Sequence, residues 1–123
     1  MRLRRRSLNQ GQDVPRYINV SASGALLTLF HGRVLGVYEL QPDKTGVNKT
    51  DPVWKGVKFY LFRFTNGGKW GFGPRIDSNI YLRVLSWSSS SSPLDSSLSW
   101  KYHKDGWFDA ENFSVSDLYG RFS

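Results

Sequence analysis

The sequence contains no cysteine, which excludes a disulfide framework, a thiolate zinc site, an iron–sulfur cluster and a cysteine nucleophile together. It has only two histidines, His31 and His103, too few for most transition-metal sites. Long apolar runs are missing too. The longest, residues 25–30 (ALLTLF), is far below the ~20 residues that span a bilayer. Residues 7–16 (SLNQGQDVPR) follow the first arginines and are polar where a signal peptide needs an apolar stretch. A soluble chain is therefore expected, and the lack of cysteine favours a cytoplasmic or nuclear setting. No glycine motif precedes a helix to cradle phosphate, and no Gly-x-Ser-x-Gly elbow is present. Neither a cofactor nor a metal is expected, and no motif names a reaction.

What the chain does have is aromatic residues, 15% of its 123 positions, with 39% hydrophobic and 22% charged. That is enough apolar surface for one globular domain and too little length for two. The formal net charge is +7, but it is unevenly placed. Residues 1–16 carry Arg2, Arg4, Arg5, Arg6 and Arg16 against Asp13 alone, whereas residues 17–123 are nearly balanced. The division expected is a basic flexible tail over 1–16, lacking helical or strand periodicity, and an all-β domain over 17–123. The arginines of the tail suit a nucleic-acid phosphate, an acidic lipid or a nuclear address. Ser7, with Arg4 and Arg5 three and two positions before it, is a possible phosphosite of basophilic kinases, and its phosphorylation would cancel up to two of those charges. The plainer reading is a solubilising extension.

Beyond Tyr17 the pattern is of short strands separated by turn residues. Residues 34–40 (VLGVYEL) read as a strand and 41–51 (QPDKTGVNKTD) as a polar loop. In residues 57–64 (VKFYLFRF) Val57, Phe59, Leu61 and Arg63 alternate with Lys58, Tyr60, Phe62 and Phe64. Both sets contain aromatics, so this strand should be central and covered on both sides. Asn66-Gly67 supplies the positive-φ pair of a type I′ hairpin. The return strand, 69–76 (KWGFGPRI), alternates glycine with aromatics and should be bulged or strongly twisted, with Pro74 at its end. A turn at 77–79 leads into a strand over 80–85, placing Leu82 with Val84 and Tyr81 with Leu85. Nine of the fourteen residues from 86 to 99 are serine, which predicts a long flexible surface loop. Short strands at 98–103 and 112–116, with an Asp105-Gly106 turn between them, complete an all-β chain. A small antiparallel sandwich or barrel of seven to nine strands is predicted.

Taken together, GVYEL at 36–40, PVW at 52–54, YLF at 60–62, GKWGFGP at 68–74, Trp100 and residues 108–115 resemble a small β-rich module of large multidomain proteins of invertebrates and protists. The resemblance covers most of 17–116. A module that recurs beside other domains implies a binding or scaffolding unit, and no ligand or functional residue comes with it.

Candidate sites follow from the residue types. Glu39, Asp43, Asp51, Asp77, Asp105, Asp109 and Glu111 could supply a carboxylate pair, but most sit in turn contexts where Asp serves the backbone. Five tryptophans are many for a core of this size. Trp54, Trp70 and Trp100 are expected inside. Trp87 and Trp107, in or beside loops with His103, Asp105 and Asp109 nearby, are candidates to stack on a sugar ring or a protein partner; the plainer reading has them cover the ends of the core. The alternative function is nucleic-acid association through the arginine tail. Lys58, Tyr60, Phe62, Phe64, Lys69 and Trp70 add to it a superficial likeness to an RNA-binding sheet. Three glycosylation sequons, at Asn19, Asn48 and Asn112, point weakly to an extracellular origin, and β-propensity explains two of them without a glycan.

Overall fold

The computed structural model describes residues 6–8, 12–23, 33–45, 51–64, 69–76 and 82–118. Among these the chain is all-β. A short ribbon pairs β1 (Arg6–Leu8) with β2 (Gln12–Val14). Nine further strands form one antiparallel sheet: β3 (Tyr17–Ser21), β4 (Gly36–Leu40), β5 (Trp54–Lys55), β6 (Tyr60–Arg63), β7 (Trp70–Gly73), β8 (Val84–Ser86), β9 (Trp100–His103), β10 (Trp107–Asp109) and β11 (Ser114–Asp117). Their order is β10-β9-β8-β7-β6-β5-β4-β3-β11. Strands β3 to β10 are a simple meander, and β11 returns to pair with β3. Consecutive strands β10 and β11 thus occupy opposite edges, and the sheet curls into a half-barrel. No helix among the described residues is long and apolar enough to cross a membrane.

Strand β6 is the middle strand of the nine, and Leu61 and Phe62 are both fully buried, on opposite faces. This is what aromatics on both faces predict. The inner face holds the main core, including Ile18, Tyr38, Trp54, Trp70, Phe72 and Trp100. A smaller cluster of Val53, Phe62, Leu82 and Leu85 covers the outer face of the central strands. Phe62 and Trp70 are wholly buried, so the aromatics of β6 and β7 do not form the open stacking sheet that an RNA-binding surface needs. Arg63 belongs to the inward-facing set and is tolerated there because Asp51, itself buried, pairs with its guanidinium at 2.8 Å.

Three local features depart from the sequence pattern. Arg83 N–H donates to the Phe72 carbonyl at 2.9 Å while Val84 is the register partner of Phe72, so two residues oppose one. This bulge reverses the alternation, leaving Val84 in the inner core while Leu82 joins Leu85 outside. The serine segment is held by its own hydroxyls. Ser88, Ser90 and Ser92 Oγ accept from the N–H groups of Ser99, Ser92 and Leu94 at 3.0–3.2 Å, and the Ser90 carbonyl takes the Trp70 indole N–H at 3.0 Å. Serine is a poor packer but a good local backbone partner, so a segment read as a flexible loop is instead tied down. Finally, Val14 is buried in the core and the Pro15 carbonyl accepts from Trp54 Nε1 at 2.9 Å. The fold therefore takes in Val14 and Pro15 ahead of Tyr17. The turns at 66–67 and 77–79, the start of the 80–85 strand, Arg2, Arg4 and Arg5, and the Asn48 sequon lie outside the described residues.

Candidate functional site

Alternation along the last strands decides which side chains share a face. In β9, Trp100 and Tyr102 pack toward the core, so Lys101 and His103 point outward. In β8, Val84 and Ser86 face inward, which turns Leu85 and the following Trp87 outward. The β10–β9 register pairs Trp107 with His103 and Asp109 with Lys101. Because Ala110 N–H donates to the Trp100 carbonyl at 2.9 Å, these two are the non-hydrogen-bonded pairs of the ladder, whose side chains approach most closely. Lys101 Nζ accordingly lies 2.7 Å from Asp109 Oδ1, and the His103 and Trp107 rings are 4.9 Å apart, edge to face.

Trp87 completes the face. Its ring centroid is 6.2 Å from that of Trp107, with the two planes tilted by 53°. The ammonium groups of Lys101 and Lys69 stand 5.2 and 5.9 Å from its centre. The outer surface of β8, β9 and β10 thus presents two indoles, an imidazole, two ammonium groups and one carboxylate. Trp87 and Trp107 are 48% and 36% exposed, whereas Trp54, Trp70 and Trp100 are at most 5% exposed. The indole N–H groups of Trp54 and Trp70 are bound to the Pro15 and Ser90 carbonyls, and those of Trp87, Trp100 and Trp107 have no protein partner among the described residues.

The structure therefore brings together Trp87, His103, Trp107 and Asp109, four of the residues selected from sequence; Trp87 lies just past β8, and the other three are on β9 and β10. Asp105 stands apart. It has φ +57° beside Gly106 at +129° in the β9–β10 turn, so turn geometry accounts for it. Lys101 was not selected from sequence, and Lys69 was named only for the likeness to an RNA-binding sheet; the parity of residues 98–103 (LSWKYH), with Trp100 assigned inside, would have put Lys101 beside His103. Asn112, in the third sequon, is explained by its backbone: it has φ +51° and its amide donates to Ser23 Oγ at 2.8 Å. No group of three His, Asp or Glu among the described residues could hold a metal ion.

No family model, curated protein or solved structure matches the chain. The exposed ion pair of Lys101 and Asp109 contributes at most about 1 kcal/mol to stability. Each cation–π contact of Trp87 adds about 0.5–1 kcal/mol at an exposed site. Burying a tryptophan's 150–250 Å² of surface is worth roughly 4–6 kcal/mol at 25 cal/mol per Å². Trp87 and Trp107, 48% and 36% exposed, leave less than half of this unrealised, a sum of about the same size as these contacts return.

Proposed function

We propose that the protein is a non-catalytic binding module and that the outer face of β8–β10 receives carbohydrate. What supports this reading is the contact between two half-exposed tryptophans, Trp87 and Trp107, whose indole N–H groups have no protein partner among the described residues. The C–H face of a sugar ring stacks on an indole, and the tilt of 53° offers adjoining faces to consecutive rings of an oligosaccharide. Lys101 and Asp109 supply a donor and an acceptor for ring hydroxyls, and the Lys101–Asp109 pairing holds both in place before a ligand arrives. Lys69 and Lys101 outnumber Asp109, so a sugar bearing a carboxylate or sulfate suits the face better than a neutral one.

A glycan array tests the proposal. The wild-type protein binds a subset of glycans, and Trp107→Ala weakens that binding at least about tenfold, the equivalent of ~1.4 kcal/mol from one lost stacking ring. Phe108→Ala, an exposed position on the opposite face of the same strand, leaves it intact. A silent array, or equal loss in both variants, contradicts the proposal. Single-stranded nucleic acid is the other ligand that combines flat rings with negative charge, and the two ammonium groups over Trp87 favour it as a second reading. An RNA oligonucleotide titrated against the same two variants separates the readings.

A further inference from the structure

A cavity of about 380 Å³ lies between the serine segment at residues 94–98 and residues 113–117. Its floor is apolar. Leu98, Trp100 and Val115 are buried there, and the Phe113 ring, 5.0 Å from that of Trp100 and tilted by 41°, adds an aromatic wall. Asp95, Ser96, Ser114 and Ser116 also line the cavity and are exposed, so its polar residues sit at the mouth. An apolar cavity of roughly 150 Å³ holds one benzene ring, and this one has room for a body of two fused rings. Small-molecule sites begin at about this size.

One donor on this floor is unused. Trp100 is 5% exposed, and its indole N–H has no protein partner among the described residues. Buried indoles ordinarily find an acceptor, as Trp54 and Trp70 do at the Pro15 and Ser90 carbonyls. Nor is the Trp100 N–H sealed in: among the described residues the polar side-chain atoms shut off from solvent without a bond are Asp51 Oδ2 and Arg63 Nε. It therefore meets open space, and the open space beside Trp100 is the cavity.

The carboxylates at the cavity do not call for a cation. Asp117 already has a partner, and Asp95 Oδ1 accepts from the Ser97 hydroxyl and N–H at 2.7 and 2.9 Å. These bonds hold the Asp95 carboxyl below its usual range, so it is charged at neutral pH and stands against an anion at the mouth. A charged ligand would also shed its water against Leu98, Trp100 and Val115 without gaining a counter-charge. We propose that the cavity binds a small uncharged molecule of two fused aromatic rings, packed against Leu98 and Phe113, with a carbonyl oxygen that accepts from the Trp100 indole N–H. The apolar walls supply affinity, and the single donor fixes orientation. This site is separate from the outer face of β8–β10 and does not rest on the carbohydrate reading.

The probes are three naphthalenes of nearly equal size: 2-acetylnaphthalene, which carries the carbonyl, 2-ethylnaphthalene, which lacks an acceptor, and the anion 2-naphthoate. Each is titrated into the ¹⁵N-labelled full chain while the indole N–H signals of its five tryptophans are followed by NMR. The ketone is expected to move the Trp100 indole proton downfield and to bind about fivefold more tightly than the ethyl compound, the effect of one neutral hydrogen bond. The naphthoate is expected to bind more weakly than either. Trp100→Phe keeps a ring, removes the N–H and assigns the signal; in that variant the two neutral compounds should bind equally. Should the variant fail to fold, the comparison in the wild-type protein still decides, because intermolecular NOEs from the ketone to the Leu98 and Val115 methyl groups locate it without a substitution. Absence of binding at the solubility limit of the ketone, equal affinity for the two neutral compounds in the wild-type protein, tighter binding of the naphthoate, or NOEs to Trp87 and Trp107 in place of Leu98 and Val115 would each overturn the assignment.

Discussion

Replacing Trp54 with alanine is expected to lower the free energy of unfolding by about 3–5 kcal/mol, read as a shift of the urea midpoint with little change in slope. Trp54 is 1% exposed, and its ring lies 6.2 Å from that of Trp70 on the inner face. Its removal leaves a cavity and also leaves the Pro15 carbonyl without the indole N–H that satisfies it at 2.9 Å. Small domains are stable by only about 5–15 kcal/mol, so this one change brings the protein close to unfolding at ambient temperature. Trp54→Phe should retain part of the packing and lose the hydrogen bond. It is therefore expected to fall between wild type and Trp54→Ala. A loss below about 1 kcal/mol for the alanine variant would mean that the half-barrel does not close on this ring.

Gly56→Ala is expected to cost about 1–3 kcal/mol, although replacement of a glycine free of positive φ ordinarily stabilises by about 0.4–1 kcal/mol through the unfolded chain. The sign is decided by Tyr38. A Cβ at position 56 would lie 2.9 Å from Tyr38 Cζ and 3.0 Å from both Cε atoms. The ring cannot easily yield. It is 2% exposed, packs edge to face on Phe72 at 5.5 Å, and its hydroxyl donates to the Val34 carbonyl at 2.6 Å. Burial also pushes the Tyr38 phenol far above its ordinary range, so it stays a neutral donor. Thermal unfolding of Gly56→Ala alone and in a Tyr38→Ala background measures the conflict directly. If the contact is the cause, the penalty shrinks or reverses once the ring is gone.

The parts of this fold that were legible in sequence are those set by period-two alternation and by residue size. The 57–64 segment showed two apolar faces and became the central strand β6. Trp54, Trp70 and Trp100 lay in strand contexts and are buried, whereas Trp87 and Trp107 lay outside them and are exposed. What was not legible depends on single hydrogen bonds and on pairing partners far apart in the chain. The bulge at Arg83 exists because two residues oppose Phe72, and nothing in residues 80–85 announces it. The ordering of the serine segment rests on hydroxyl-to-backbone bonds that composition describes only as polarity. Val14 looked like part of a charged tail because its partners in the core come from distant strands. The candidate face was partly legible: Trp87, His103 and Trp107 were named from the sequence and lie together, but their meeting at the β10 end of the sheet beside Lys69 and Lys101 required the strand order.

The central claim, that the outer tryptophans and not the inner ones meet carbohydrate, is tested most directly by ¹⁹F NMR of protein labelled with 5-fluorotryptophan. The chain has five tryptophans and should give five resonances. Titration with cello-oligosaccharides and with heparin-derived oligosaccharides, with assignments from Trp87→Phe and Trp107→Phe, is expected to move the signals of Trp87 and Trp107 and leave those of Trp54, Trp70 and Trp100 in place. The heparin-derived ligand should produce the larger shift. Movement of the three inner signals ahead of the outer two, or five unmoved signals with both ligands, would contradict the account.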